Sequence, residues 1–311
     1  MGRDNLTWVS EFVLLGLSGD RQTQAGLFVL FGAAYLLTSL GNGLILVLIR
    51  LDSRLQLPMY FFLGNLSVVD ICYTSSGVPQ MLAHFLLEKK TISSARCGAQ
   101  HFSLALGGTE FLLLAAMAYD RYVAVCDPLR YAAVMGLRLC AGLAAVSWLV
   151  GPANAAVETA VTVRLPTCGR HVNHVACETL ALVRLACVDV TLNQAVIVAS
   201  SVVVLLAPCC LVALSYARIV AAVLRIRSSR GRRKAFGTCA SHLTVVSMSY
   251  GMALVTYMQP RSTASAEHDK VVALFYAVVT PMLNPLIYSL RNTEIKAALT
   301  RILTRSSQSK R

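Results

Sequence analysis

Charge is what this chain has least of. Asp, Glu, Lys and Arg make up 14% of its 311 residues, against about 25% in soluble domains. That scarcity excludes a disordered solvating chain and a nucleic-acid-binding tail. Ten cysteines are too sparse for a disulfide-dense mini-protein. The chain has no Gly-x-Ser-x-Gly, no P-loop and no His-Glu-x-x-His, which speaks against an enzyme. Gly41-Asn42-Gly43 lacks the third glycine of a dinucleotide loop. Neither an internal repeat nor a broken helix pair of transporter type is visible. The first 20 residues carry Arg3, Asp4, Glu11 and Asp20 and lack an apolar core, so the reading is that no cleavable signal peptide is present and the first span directs insertion.

What the chain has instead is apolar surface. Hydrophobic residues reach 56% and mean hydropathy is +0.62. A soluble domain of this length cannot hide that much. The gaps between charges give the layout. None falls between Arg21 and Arg50, one (Asp70) between Arg54 and Glu88, and one (Glu110) between Cys97 and Tyr119. None falls in Leu139–Val157, Val190–Ala217, Ala235–Pro260 or Val271–Leu290. Each stretch is about the 20 residues that a helix needs to cross a hydrocarbon core of about 30 Å. Continuous rather than alternating apolarity disfavours a β-barrel. The expectation is an all-α membrane protein: one seven-helix bundle over residues 1–311, with spans near 24–49, 58–84, 97–120, 139–158, 192–218, 235–258 and 271–290. Residues 1–23 lie outside and the tail 291–311, with a short amphipathic helix, inside.

Orientation follows from Lys and Arg. With Met1 outside, the inner loops and tail hold 18 basic and 4 acidic residues, and the outer side 10 basic and 9 acidic. The net charge of +13 is therefore a cytoplasmic face suited to anionic plasma-membrane lipid or an acidic intracellular partner. Asn5-Leu6-Thr7 is a glycosylation acceptor pattern on the outer side. Cys97, Cys168, Cys177 and Cys187 are in or beside outer loops, where four cysteines allow three pairings.

Polar groups inside the spans are costly, roughly 2.5–3.5 kcal/mol for a charge at the centre. Asp70 and Glu110 bear that cost, with Asn42, Asn65 and Asn284 also mid-span. A cluster joining spans one, two, three and seven is the economical arrangement. It serves either as an ion- or proton-binding switch or as an inter-helix hydrogen-bond staple. Asp120-Arg121-Tyr122 ends span three, where Arg121 can pair with Asp120 and change partner when helices move. Pro58, Pro79, Pro208, Pro281 and Pro285 free backbone groups and kink their spans.

These residues fall into an ordered set of motifs. Gly41-Asn42 is followed by Pro58-Met59-Tyr60-Phe61-Phe62-Leu63, Leu66-Ser67 and Asp70. Met117-Ala118-Tyr119-Asp120-Arg121-Tyr122-Val123-Ala124-Val125-Cys126 leads to Pro128-Leu129 and Tyr131. Ser215-Tyr216, Lys234-Ala235-Phe236, Thr238-Cys239, Ser241-His242 and Pro281-Met282-Leu283-Asn284-Pro285-Leu286-Ile287-Tyr288-Ser289-Leu290-Arg291-Asn292 complete it. The set resembles the olfactory receptors, a branch of the rhodopsin-like G-protein-coupled receptors. Gln56 stands where that family usually has His, Val125 where it has Ile, and Cys97 to Arg121 is one residue shorter than typical.

The resemblance implies an odorant cavity in the outer half of the bundle, outward movement of span six, and nucleotide exchange on a stimulatory G protein with a rise in cyclic AMP. It places Asp120, Arg121, Tyr122, Tyr216, Lys234, His242, Asn284, Pro285 and Tyr288 in coupling and switching. Asn42, Asp70 and Glu110 form the polar network, with a sodium ion, or its replacement, at Asp70 and Glu110 and no other cofactor. It pairs Cys97 with Cys177 and Cys168 with Cys187.

Helical spacing extends this to a ligand site. Ser103, Leu104 and Gly107 share the inward face of Glu110, and Gly108 leaves further room. Ser200, Ser201 and Val204 lie outward of Pro208; Tyr250, Leu254 and Tyr257 repeat along span six; Leu274 and Ala277 lie above Pro281. The set reads as an apolar chamber with a few hydroxyls, or as plain helix packing. It contains no acid, so a charged amine is not expected as ligand. Tyr257 and Ser201 are the candidate hydrogen-bonding groups. His174, Cys177 and Glu178 have a spacing that can hold copper or zinc, unless Cys177 is oxidised. The competing functions are a receptor of this fold for a non-odorant metabolite, and a proton-coupled transporter using Asp70 and Glu110.

Overall fold

The structure, a computed structural model, describes residues 9–258 and 266–308. Among the described residues seven long helices form a bundle: α1 (Arg21–Leu51), α2 (Pro58–Leu86), α3 (Ser94–Cys126, interrupted at Leu106), α4 (Leu137–Val163), α5 (Thr191–Leu224), α6 (Ser229–Met258) and α7, which runs through Ala266–Leu274, Phe275–Val279 and Thr280–Arg291. A shorter α8 (Thr293–Gln308) follows. Five of the seven are apolar enough throughout to cross a membrane on composition alone. Of the other two, α2 carries the polar residues Asn65, Ser67, Asp70 and Thr74, and α6 is apolar over the shorter stretch Cys239–Val255, after a start that holds Arg230, Arg232 and Arg233. Leu30, Leu40, Leu149 and Leu214 are all more than 60% exposed, an apolar outer surface that only lipid tails satisfy.

Helix ends follow local chemistry. Asp20 caps α1 by accepting from Thr23 N–H at 2.8 Å, and Pro58 opens α2 where its missing N–H has no intrahelical partner to lose. Within α5 and α7 the turns Val202–Leu206 and Phe275–Val279 widen to π geometry. Each ends just before a proline, Pro208 or Pro281. A proline ring collides with the carbonyl four residues back, and a wide turn relieves that collision. Pro285 creates a complementary demand, because it cannot donate to the carbonyl of Pro281. Asn42 Nδ2 on α1 reaches that carbonyl at 3.4 Å while also donating to Thr38 at 3.1 Å. The close approach this needs is made at Gly41, where a Cβ would stand 2.9 Å from Pro285.

One end of the bundle is capped by loops. β1 (Glu11–Leu14) pairs antiparallel with β2 (Thr91–Ser93) and parallel with β3 (His171–Val172). Phe12, Leu14, Ile92, Val172 and Leu182 bury a small core beneath this sheet, around the Cys97–Cys177 disulfide. Cys168 joins Cys187, with Cα atoms 5.3 Å apart. At the opposite end Ile295 and Ala298 of α8 are buried against the main core, and Arg301 bonds Asp52 at 2.6 Å. That guanidinium holds the Asp52 carboxyl below its ordinary range. The main core, around Phe62, Leu66, Leu113, Leu114 and Met117, fills the half nearer α8. The half under the loop cap is left open.

Candidate functional site

That open half is a cavity of about 140 Å³. A void of about 150 Å³ accepts a molecule the size of benzene. Its walls come from α2, α3, α4, α5, α7 and the loop between α4 and α5, with Ala253 from α6. The two π turns present Val204 and Leu205 on one side and Tyr276, Ala277 and Val278 on the other. Leu104, Gly107, Gly108, Ser201, Val204, Leu274 and Ala277 line it as the helical spacing anticipates.

Other anticipated residues do not line it. Ser103 donates to Ala99 O at 3.0 Å, because the interruption at Leu106 turns the preceding part of α3. There Thr109 N–H reaches back only three residues, to Leu106 O at 2.8 Å, a tight turn between the two parts of α3. Ser200 instead donates to Asn154 Oδ1 on α4 at 2.8 Å. Tyr250 lies under the floor and donates to Phe111 O at 2.7 Å. Leu254 packs against the main core. Tyr257 lies on α6 with its side chain outside the described residues, as does that of Lys234; Asn5 is outside them altogether.

Sequence reasoning missed the α2 wall (Tyr73, Thr74, Gly77, Val78, Met81), the floor residues Phe111 and Tyr276, and two acids. Glu158 and Glu178 both face the cavity, correcting the expectation that it holds no carboxylate. Glu178 also caps the short helix Thr179–Val183, accepting from Leu180 N–H at 2.9 Å and Ala181 N–H at 3.2 Å. Burial outweighs those bonds and pushes its carboxyl up to about 7. His174 is buried and pushed down to about 4; its Nδ1 engages Ala176. With Cys177 in the disulfide and Glu178 capping a helix, the possible copper or zinc set does not converge. Among the described residues no group of three such ligands could hold a metal.

Below the floor the polar groups sort into layers. Phe111 packs on Tyr250 (centroids 5.0 Å) and on Tyr276 (6.1 Å), and Tyr276 meets Tyr73 edge-on at 5.8 Å. Next, Ser249 of α6 donates to Glu110 Oε1 of α3 at 3.0 Å. Asn284 of α7 donates to both carboxylate oxygens of Asp70 on α2, at 3.0 and 3.3 Å. Among the described residues the hydroxyls of Ser67 and Tyr288 are buried without a hydrogen-bond partner. Asn65 does not join this network: it accepts from Trp148 Nε1 at 2.9 Å and ties α2 to α4.

Nearer α8, His242 of α6 is fully buried. Its Nδ1 meets the Tyr216 hydroxyl of α5 at 2.7 Å and its Nε2 meets Leu114 O of α3 at 3.2 Å, which makes Nε2 the protonated nitrogen. At the end of α3, Asp120 accepts from Arg121 Nε at 3.0 Å and from the Tyr131 hydroxyl at 2.7 Å. Tyr122 packs on Tyr119. Arg121 is thus held sideways by its neighbour, under the junction of α3, α5 and α6.

A mostly apolar chamber at one end, buried acids in the middle and a paired arginine at the other lie along one axis of the bundle. Known proteins share the whole chain that builds it. Residues 31–306 match the family model described as olfactory receptor. Human olfactory receptor 2F1 is 58% identical over 309 residues, covering 99% of this chain and 98% of its own. The dog olfactory receptor-like protein OLF3 is 57% identical over 305 residues, covering 97% and 96%. Human olfactory receptor 2A5 is 52% identical over 302 residues, covering 96% and 97%. The chain that folds into this axis belongs to the olfactory receptor family, whose members are multi-pass membrane receptors and not enzymes.

Proposed function

We propose that the protein binds small, mostly apolar volatile molecules in the 140 Å³ cavity and, when occupied, activates a stimulatory heterotrimeric G protein that raises cyclic AMP. The observation that carries this is the continuity of packed groups from the cavity floor to Arg121. Phe111 touches the cavity and accepts from Tyr250 of α6. The next residue along α6, Ser249, bonds Glu110 of α3. Two turns further, His242 ties α6 to α3 and α5. A ligand that favours a displaced Phe111 therefore biases the position of α6, and α6 moving outward uncovers Arg121. The account needs only a ligand with different affinity for the two arrangements.

The loop-capped end faces outward and α8 lies along the inner plasma-membrane leaflet. Supporting this are the 18 basic residues at the α8 end and the two disulfides at the other. Asn5 then lies on the glycosylated side. Asp70 and Glu110 are buried with no cationic partner among the described residues. With the unpartnered Ser67 hydroxyl they offer hard oxygen donors that suit a sodium ion; when bound, it supplies the positive charge this layer lacks.

Affinity in the cavity comes mainly from burial of apolar surface, at about 25 cal/mol per Å². Ser201 already donates to Ile197 O at 2.8 Å and so offers a ligand an acceptor. The test is a panel of odorants on cells expressing the protein at the surface, read by cyclic AMP. The expected result is a concentration-dependent rise for some compounds that Arg121→Ala abolishes. A surface-expressed receptor whose odorant response survives Arg121→Ala contradicts the reading.

A further inference from the structure

The floor of the cavity discriminates among apolar ligands by shape. Tyr73 of α2, Phe111 of α3 and Tyr276 of α7 all line the chamber, and their rings are locked together. Phe111 and Tyr276 lie nearly parallel, with centroids 6.1 Å apart and 18° between planes. Tyr73 meets Tyr276 edge-on, at 5.8 Å and 77°. Tyr250 of α6 backs Phe111 at 5.0 Å. Beside these rings the α2 and α3 walls carry glycine at Gly77, Gly107 and Gly108. Tyr276 lies across the bare backbone at Gly107, where a Cβ would stand 2.6 Å from its hydroxyl oxygen. Gly77 differs: a Cβ there would meet nothing nearer than Leu104 Cδ2 at 3.9 Å, so the missing side chain leaves room in the wall.

The polar groups of the chamber are engaged with the protein itself. His101 meets Thr159 at 2.9 Å and Thr179 at 3.1 Å. Ser200 bonds Asn154, whose amide reaches Glu158 at 3.4 Å, and Glu178 caps the Thr179–Val183 helix. Choice among ligands then falls to the apolar surface. An aromatic ligand gains from offset-stacked or edge-to-face contact beyond the area it buries, and Met81 brings a sulfur to the same lining. A rigid ring also has little torsional freedom to lose on binding, whereas a chain must give up several rotatable bonds. The volume of about 140 Å³ is close to that of a void that takes benzene. We infer that the chamber selects compact monocyclic aromatic compounds over saturated rings and open chains of the same size, seating the aromatic ring against Tyr73, Phe111 and Tyr276 beside Gly77. The inference rests on the cavity being the ligand site proposed above. It opposes the order that transfer from water alone would give: saturated groups of equal atom count present more apolar surface, so burial by itself ranks the aromatic compound last.

The test is a cyclic AMP concentration–response series with anisole, methoxycyclohexane and 1-methoxyhexane, which share a methoxy group and the same number of heavy atoms. A broad panel of other neutral odorants is run beside it, with surface expression measured in parallel. The expected result is a half-maximal concentration about 3- to 10-fold lower for anisole than for either saturated ether, the range of one aromatic contact. Phe111→Leu keeps the backbone carbonyl that Tyr250 bonds and removes the ring; in it the ratio of methoxycyclohexane to anisole falls toward one. Anisole that is inactive, or no more potent than the saturated ethers, in the native receptor overturns the inference, whether or not the variant reaches the surface. So does an unchanged ratio in surface-expressed Phe111→Leu. If other neutral odorants act while anisole does not outrank the saturated ethers, the inference fails and the cavity reading stands. If the surface-expressed receptor answers nothing in either set, both fail.

Discussion

The glycine pair at the α3 interruption provides a quantitative test of how tightly the cavity is built. A Cβ at Gly107 would stand 2.6 Å from the Tyr276 hydroxyl oxygen and 3.5 Å from a Tyr73 ring carbon. Ordinary contact begins near 3.5 Å, so Tyr276 must retreat by about 1 Å. It cannot pivot freely, because its ring stacks on Phe111 at 6.1 Å and meets Tyr73 edge-on at 5.8 Å. Overpacking of this kind costs about 1–3 kcal/mol, and 1.4 kcal/mol is tenfold in an equilibrium constant. Gly107→Ala is therefore expected to weaken odorant potency by about five- to a hundredfold. At Gly108 the added Cβ would meet Val204 at 3.3 Å, a few tenths of an ångström too near, and the wide turn of α5 can yield. Gly108→Ala should shift potency by less than about fivefold, in keeping with under about 1 kcal/mol. The assay is the cyclic AMP concentration–response curve for one neutral agonist, corrected for surface expression. A Gly107→Ala potency within twofold of native, or a Gly108→Ala loss exceeding it, refutes the packing argument.

Three further outcomes follow from the same structure. Asn42→Ala orphans the Pro281 carbonyl that Pro285 cannot satisfy; the detergent-solubilised receptor should lose about 1–3 kcal/mol, read as a lowered thermal midpoint with the α7 fold retained. Removing the Cys97–Cys177 bridge by Cys97→Ser should cost about 2–5 kcal/mol, seen as lost surface expression, because it anchors the loop cap to α3. Glu178 is pushed up to about 7, above its ordinary 4.5. The native state therefore holds its proton over a pH range in which the unfolded state releases it, and stability should fall as pH rises from about 4.5 to about 7 and level off above. Glu178→Gln should flatten that segment of the melting profile, and an unchanged slope would contradict the assigned burial.

Much of this architecture is visible in the order of the residues, for a physical reason. A charge in lipid is so expensive that gaps between charges mark the helices, and the few exceptions, Asp70 and Glu110, must point inward. The structure buries both. The cavity was only half legible because helical phase is a local rule and two kinds of local event break it. The tight turn at Leu106 rotates the first part of α3 and removes Ser103 from the wall. The π turns before Pro208 and Pro281 each shift the phase of their helix. Asn65 carried a usable signal: five residues from Asp70, it lies about 140° around the helix and so faces α4, where it meets Trp148. The acids on the cavity wall had no such signal. Glu158 stands at the end of an apolar run and Glu178 in a loop, and only the folding of that loop beneath the β1–β2–β3 sheet brings them to one chamber.

The most direct measurement of the central claim is chemical protection at Ala277, on the cavity wall in the wide turn of α7. In Ala277→Cys receptor at the cell surface, a small thiol reagent should modify residue 277 more slowly as agonist concentration rises. The protection should follow the same concentration dependence as the cyclic AMP response, and completed modification should block that response. Modification at an unchanged rate under saturating agonist, with signalling intact afterward, would place the ligand elsewhere and contradict the account.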